Sequence, residues 1–129
     1  MTNKTNETTK IIVRGKLLLT PSGDKNWIVQ ETIMIETGTR TFSIPKGMIT
    51  DLASVPRALW IALPPFGEYT IAAVVHDRIY RAPELNITRA EADQLFYDLM
   101  VQYGVSTVKA KAMYYGVRSF GAWSYKDRV

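Results

Sequence analysis

The sequence predicts an α+β fold: a small N-terminal antiparallel β-meander followed by three or four helices, with a two-helix His/Asp pair at the centre. Two patterns lead to this class. Apolar residues tend to alternate with polar ones between residues 11 and 44, as in strands, and after Pro45 they recur at three and four positions, as in helices. The 129 residues, 47% of them hydrophobic, fit a single globular domain over residues 11–129.

The β-meander is expected in residues 11–46, after a polar and flexible N-terminus of residues 1–10. Its three β-like runs are Ile11–Leu19, Trp27–Ile35 and Arg40–Ile44. Turn-forming residues separate these runs, first at Pro21–Asp24 and then at Glu36–Thr39. The pattern predicts that runs adjacent in the sequence pair with each other.

A loop and then helices are predicted for residues 47–129. The expected helices are Pro56–Leu63, about Glu68–Arg81, a third that begins after residue 88, and about Ser106–Phe120. The clearest local signal is the capping box of Thr88 and Glu91, in which each side chain satisfies a backbone N–H at a helix start. Gly104 is a natural end for the third helix.

Composition excludes several kinds of site. The chain has no cysteine, so disulfides, cysteine-ligated zinc and thiol nucleophiles are excluded. The scattered glycines form no phosphate-binding loop. We expect no secretory signal peptide and no transmembrane segment, because the polar start and the interrupted apolar stretch after Ala58 fit neither. The protein is therefore expected in the cytoplasm of the cell where it is made.

Charge is distributed unevenly along the chain, whose formal net charge is +4. Residues 65–103 carry three basic and six acidic side chains, and residues 104–129 carry five basic and one acidic side chain. The acidic part would suit a cation, and the basic, aromatic C-terminus would suit a lipid surface or, less well, a nucleic acid. Ordinary solvated helix faces would give the same pattern.

The candidate catalytic residues are His76, Asp93 and Tyr80. His76, the sole histidine, shares a helix face with Tyr80 because the two are four residues apart. Asp93 lies at the edge of the apolar stripe of the next helix, so antiparallel packing would bring its carboxylate to the imidazole. This contact would fix the tautomer and leave the other ring nitrogen as a base. The simpler alternatives are a satisfied, half-buried histidine and an aspartate placed by the helix dipole.

The candidate metal ligands are Asp77 and Asp51. Asp77 points about 100° away from His76 on the same helix, and with Asp51 it would hold a hard cation such as Ca²⁺. A histidine base, a cation that stabilises the oxyanion and no protein nucleophile together indicate attack of water on an ester. An intrahelical pair with Arg81 is the alternative for Asp77.

A polar loop surrounds Asp51 and contains Ser54 and Arg57. This segment is either a ligand loop or a helix-capping turn held by a pair between Asp51 and Arg57. Ser54 lacks the Gly-x-Ser-x-Gly setting of a serine nucleophile. The sequence gives no role to Ser54, Arg57 or the Pro64-Pro65 turn.

A set of short motifs extends from about Lys46 to Trp123. They are Gly47-x-x-Thr50-Asp51-Leu52-Ala53-Ser54-Val55-Pro56-Arg57, Pro64-Pro65-x-Gly67-x-Tyr69, Ala73-x-x-His76-Asp77-x-x-Tyr80, Ala92-Asp93-x-x-Phe96 and Gly121-Ala122-Trp123. Together they resemble the phage and prophage family called domain of unknown function 1353. The resemblance implies a phage or prophage origin and brings no established activity.

The His76-Asp77-x-x-Tyr80 and Ala92-Asp93-x-x-Phe96 motifs are also similar to phospholipase A2, in particular the disulfide-free form in parvoviral capsid proteins. In that family the equivalent histidine activates water, the aspartate after it binds calcium, and an aspartate and a tyrosine orient the histidine. The likeness implies these roles for His76, Asp77, Asp93 and Tyr80. The family's calcium loop is rich in glycine, whereas Pro64-Pro65-Phe66-Gly67 contains one glycine.

Three functions remain open at this point, of which one is a nucleic-acid or membrane-surface binder that uses the basic C-terminus and the other two involve His76. The first is a non-enzymatic virion accessory or host-interaction protein, whose partners are other virion proteins or a host protein. In it His76, Asp77, Asp51 and Arg57 would form a buried polar network. The second is a phospholipase A2-like, metal-dependent ester hydrolase with His76 as general base. A free His76 nitrogen that opens onto a cleft would favour the hydrolase, and side chains packed over His76 would favour the non-enzymatic protein.

Overall fold

The computed structural model describes residues 10–23, 26–50 and 69–120. The chain divides into two compact units, Met1–Ile49 and Thr50–Val129. The strands are β1 (Ile12–Arg14), β2 (Leu19–Pro21), β3 (Trp27–Val29), β4 (Ile33–Glu36), β5 (Thr41–Ile44) and β6 (Ile49–Thr50). The α-helices of the described residues are α1 (Thr70–Tyr80), α2 (Arg89–Gln102) and α3 (Thr107–Phe120). The predicted α+β class is confirmed.

The first sheet has the order β1-β4-β5, and both pairs are antiparallel. Ile35 is aligned with Val13 on one side and with Phe42 on the other. Ile33 and Ile35 have no exposed surface because alternate residues of β4 point to the buried face. The turn predicted at Glu36–Thr39 is confirmed, since the Thr37 N–H donates to the Arg40 carbonyl.

The second sheet has the order β2-β3-β6. The predicted hairpin between β2 and β3 is confirmed by their antiparallel pairing and by the Ser22 N–H, which donates to the Asn26 carbonyl. The predicted meander is confirmed for the three runs: the first pairs with the second through β1·β4 and β2·β3 in one register, and the second pairs with the third through β4·β5. The runs are not continuous strands, however, because β1 and β2 belong to different sheets. Gly15 separates them: its φ of 114° suits glycine, and a Cβ there would lie 3.1 Å from the Thr32 carbonyl oxygen.

The helix ends follow the predicted local signals. The Thr88 side chain accepts from the Glu91 N–H, and the Glu91 carboxylate accepts from the Thr88 N–H, so the capping box is confirmed. Gly104 follows α2 with a φ of 102°. Two backbone bonds close this end, from Gly104 to Val101 and from Val105 to Met100, which is a Schellman motif.

Helix α2 packs against both α1 and α3. Helix α1 is buried along almost its whole length, and Arg78 is its one residue with intermediate exposure. A charged or polar side chain on α1 therefore lies in low-dielectric surroundings and needs partners from the neighbouring helices. No helix within the described ranges has the length and apolarity required to cross a membrane. The predicted helix Pro56–Leu63 lies outside the described residues.

Candidate active site

The centre of the site is a hydrogen bond between α1 and α2. Nε2 of His76 lies 2.6 Å from Oδ1 of Asp93, and neither side chain has exposed surface. Since an ionised carboxylate only accepts hydrogen bonds, Nε2 carries the proton of the neutral ring. The contact expected from packing the two helices together is confirmed. Asp93 lies beyond the first turn of α2, where Glu91 is the acidic residue, so its position reflects this contact rather than the helix dipole.

Tyr80 completes the contact from the next turn of α1. Its hydroxyl donates to the same Asp93 oxygen at 2.6 Å, and its ring centroid lies 4.1 Å from that of His76. The Phe96 ring lies on α2 with its centroid 4.8 Å from that of His76. Burial and the hydrogen bond to Asp93 raise the pKa of Tyr80, so its hydroxyl remains a donor at neutral pH.

The second oxygen of Asp93 binds a residue that the sequence pattern does not place in the site. Nη1 of Arg118 on α3 lies 2.8 Å from Oδ2. Burial acts to raise the pKa of Asp93, but the hydrogen bonds from His76, Tyr80 and Arg118 together lower it. Asp93 is therefore a carboxylate at neutral pH. The one sequence signal for Arg118 was a cation directly after an apolar helix position, Val117, which did not specify a partner.

The other ring nitrogen of His76, Nδ1, is the unusual feature of the site. It is buried, and no hydrogen-bond partner for it lies among the residues that the structure describes. Burial lowers the pKa of His76, although the hydrogen bond to Asp93 opposes this effect, so the ring is neutral at neutral pH. The residue is 1% exposed, so His76 does not open onto a solvent-filled cleft in this structure.

Asp77 lies at the edge of this arrangement and is 6% exposed. Its Oδ1 lies 3.1 Å from Nε of Arg81, which is the intrahelical pair that the sequence offered as an alternative. Within the described ranges no three histidine, aspartate or glutamate residues are grouped as metal ligands. Asp77 by itself does not supply the six to eight oxygen ligands that calcium takes. The other loop residues of interest, Asp51, Ser54 and Arg57, lie outside the described residues.

The basic C-terminal residues have different surroundings. Lys109 and Lys111 are exposed on α3, whereas Arg118 binds the buried Asp93. Lys126 and Arg128 lie outside the described residues. Arg118 is therefore bound to a carboxylate rather than directed at an anionic surface.

Comparisons with known proteins matched one family model and two proteins of a rhizobial species. A family model described as a protein of unknown function, DUF1353, matches residues 27–117. Two similar proteins come from Sinorhizobium fredii. The uncharacterized protein y4jT is 36% identical over 89 residues, which are 67% of this chain and 26% of that protein. The uncharacterized protein y4iH is 37% identical over 79 residues, which are 59% of this chain and 32% of that protein.

The aligned part of this chain thus spans between a quarter and a third of the length of these relatives. No solved structure matches the chain significantly. The family match contains His76, Tyr80 and Asp93 and ends within α3 at Val117, one residue before Arg118.

Proposed function

The chain belongs to the DUF1353 family of proteins of unknown function, and we propose from its site that it is a hydrolase in which His76 acts as general base. The observation that carries this proposal concerns the two nitrogens of one ring. Nε2 is bound to Asp93 at 2.6 Å, while Nδ1 is buried and no described residue hydrogen-bonds to it. An imidazole held in this tautomer presents a basic lone pair at Nδ1.

A purely structural network would be expected to satisfy both nitrogens. Buried polar atoms nearly always have a partner, and an atom that lacks one calls for an explanation such as catalysis. The side-chain oxygens of Asp93 have partners: Oδ1 binds His76 and Tyr80, and Oδ2 binds Arg118. Nε of Arg89 is also buried with no partner among the described residues, but a guanidinium N–H only donates. Nδ1 of His76 is thus the unpaired atom that could take a proton from water.

The proposed reaction is hydrolysis of a carboxylic ester. Nδ1 accepts a proton from water as the water oxygen bonds to the ester carbonyl carbon. The bond between that carbon and the alcohol oxygen then breaks, and the imidazolium returns the proton to the alcohol oxygen. The products are a carboxylic acid and an alcohol, and His76 returns to its initial state. Asp93 holds the ring and stabilises its charged form during the reaction.

Access to Nδ1 is a further part of this proposal. Because His76 is 1% exposed, water and ester reach Nδ1 only after the protein opens around the ring. No step is routed through a cation, because Asp77 is paired with Arg81 and the described residues do not form a calcium site. Calcium at Asp77 and Asp51 stays a prediction from the resemblance to phospholipase A2.

A second candidate is the non-enzymatic protein, and the burial of His76 favours it. In that protein the contacts among His76, Tyr80, Asp93 and Arg118 would serve to hold α1, α2 and α3 together. Polar networks of this kind specify one packing of a core. The phage or prophage origin, a place in the virion and a host or lipid partner are proposals that rest on the family resemblance and on the basic C-terminus.

The test is an ester-hydrolysis screen with a matched pair of variants. The substrates are p-nitrophenyl esters of short and long acyl chains and phosphatidylcholine vesicles. We expect Asp93→Asn to lower the rate at least about 100-fold, because the ring loses the carboxylate that fixes its tautomer. Asp98→Asn removes a carboxylate from the same helix, where it accepts from Gln94, and should leave the rate unchanged.

Absence of hydrolysis by the wild type on every substrate would reject the hydrolase in favour of the non-enzymatic protein. Equal rates of hydrolysis in the wild type and in Asp93→Asn would show that Asp93 does not hold His76 as the base of the reaction. Circular dichroism of each variant establishes that a lost rate does not reflect a lost fold.

A further inference from the structure

Arg118 differs from the other cations of its helix. Helix α3 contains no acidic residue, and its buried positions are apolar, with Ala110, Met113 and Val117 at 1% exposure or less. Arg118 follows directly after Val117, with one third of its side chain exposed. Water could hydrogen-bond to a cation with this exposure, yet the Arg118 guanidinium binds the fully buried carboxylate of Asp93 on α2. The contact therefore needs an explanation beyond solvation of the arginine.

The contact divides the Asp93 carboxylate between two sets of partners. Oδ1 accepts from His76 and Tyr80, both at 2.6 Å, and Oδ2 accepts from Arg118 at 2.8 Å. Because each oxygen is held from a different side, the carboxylate cannot turn about its Cβ–Cγ bond without breaking at least one charge-assisted hydrogen bond. Arg118 thus fixes the orientation of the carboxylate plane relative to the imidazole.

A second arginine fixes the backbone that carries Arg118. Arg89 lies on α2, one turn before Asp93, and its Nη2 donates to the carbonyl oxygens of Val117 and Arg118. Helix α2 therefore holds the end of α3 through Arg89, and α3 holds the carboxylate of α2 through Arg118. The two contacts are reciprocal, so the position of the Arg118 guanidinium relative to Asp93 is set at both ends.

We propose that Arg118 is a positioning residue for the His76–Asp93 pair: it holds the Asp93 carboxylate in the orientation that keeps Nε2 of His76 protonated and Nδ1 bare. This inference rests on the proposed function, since the oriented ring is the base of that reaction. Arg118 does not contact the reacting atoms. Small errors in the orientation of a catalytic group lower the rate strongly, so this indirect role has a measurable effect.

The experiment uses ¹⁵N and ¹H NMR of the imidazole, which is unambiguous because His76 is the sole histidine. In the wild type we expect the Nε2–H tautomer and a downfield Nε2–H proton that exchanges slowly with water. In Arg118→Met, which removes the charge and the donors, that proton should move upfield and exchange faster, and the tautomers should mix. Arg118→Lys, which keeps the charge, should restore most of the wild-type signature.

Matched controls separate this role from a general effect of charge or of helix packing. Lys111→Met removes one positive charge from an exposed position two turns earlier on α3 and should leave the imidazole signals unchanged. If Arg118→Met does not fold, Arg118→Gln, which keeps hydrogen-bond donors without the charge, replaces it. Imidazole signals identical to those of the wild type in a folded Arg118→Met or Arg118→Gln would overturn the proposal.

Kinetics give a second, independent readout. With an ester that the wild type hydrolyses, we expect Arg118→Met to lower kcat about 10-fold with little change in KM, because ring orientation acts on the chemical step. A change in KM alone would overturn the positioning role. A wild type that shows the expected NMR signature but hydrolyses no ester would reject the proposed function, whereas hydrolysis with unchanged imidazole signals in Arg118→Met would reject this inference alone.

Discussion

His76 and Asp93 lie 17 residues apart in the sequence, yet Nε2 of one and Oδ1 of the other are 2.6 Å apart with both side chains fully buried. Removing an imidazole and a carboxylate from water is costly unless each finds its partners. Asp93 has three such partners, and His76 uses one of its two nitrogens. The imbalance between the two residues is the basis of the function proposed for this protein.

Replacing Asp93 should reduce stability strongly. Asp93→Asn leaves the Arg118 guanidinium and the His76 Nε2–H without an ionised acceptor, and loss of one member of a buried charged network typically costs about 3 kcal/mol. Urea unfolding measures the free energy of unfolding. Asp98→Asn, on the same helix, should change it by less than about 1 kcal/mol. Equal, small effects of both variants would mean that the Asp93 network contributes little to stability.

The Tyr80 hydroxyl should contribute less, since it makes one of three contacts to Asp93. Tyr80→Phe removes a hydrogen bond to a charged group, which is worth about 2 kcal/mol. Tyr97→Phe is the control: its ring lies on α2 beside Tyr114, at a centroid distance of 6.0 Å, and its loss of a hydroxyl should cost no more than about 0.5 kcal/mol. Urea unfolding again measures the free energy of unfolding. A larger loss in Tyr97→Phe than in Tyr80→Phe would contradict the hydrogen bond from Tyr80 to Asp93.

Stability should fall as the pH is lowered below about 6.5, the ordinary pKa of histidine. Burial lowers the pKa of His76 in the folded protein, so as the pH falls the unfolded chain binds the proton first. The free energy of unfolding then decreases by up to about 1.4 kcal/mol per pH unit until the folded pKa is reached. Asp93, whose pKa is also lowered, adds a loss in the same direction below about pH 4.

Thermal unfolding between pH 8 and pH 5 measures this dependence. In His76→Gln the decrease in the pH range near 6 should be absent, because the chain has no other histidine. A wild type whose unfolding temperature is constant between pH 7 and pH 5 would show that the folded and unfolded pKa values of His76 are equal.

Calcium binding separates the two interpretations of Asp77. The resemblance to phospholipase A2 predicts binding that Asp77→Asn abolishes. The Asp77–Arg81 ion pair predicts instead that the wild type binds calcium too weakly to measure and that Arg81→Gln binds it more tightly, because the carboxylate no longer has a competing cation. Calorimetric titration of the chelator-treated protein measures both effects. Binding of equal strength in wild type and Asp77→Asn would show that calcium does not use Asp77.

Much of the helical unit could be predicted from sequence because its signals are local. The capping box at Thr88 and the glycine after α2 need no tertiary information, and the meeting of His76 with Asp93 follows from helical spacing once the two helices pack. Arg118 could not be placed in this way. Its contact depends on how α3 packs against α2, and the sequence shows only a cation beside an apolar position.

The division of the strands into two sheets was less predictable for the same reason. Turn residues indicate that the first run folds back on the second, and both β2·β3 and β1·β4 follow the register of this hairpin. Nothing local specifies that the hairpin is divided between two sheets. The break at Gly15 divides an apolar run that otherwise reads as one strand, and the position favours glycine because of its φ of 114° and the nearby Thr32 carbonyl, a non-local contact.

The central claim is that Nδ1 of His76 is a catalytic base, and the most direct test compares ester hydrolysis by the wild type and by His76→Gln at pH 7. Loss of a general base typically lowers the rate about 100-fold or more. We predict hydrolysis by the wild type and a decrease of at least that size in a folded His76→Gln. Hydrolysis at the same rate in both proteins, or no hydrolysis of any ester by the wild type, would contradict the claim.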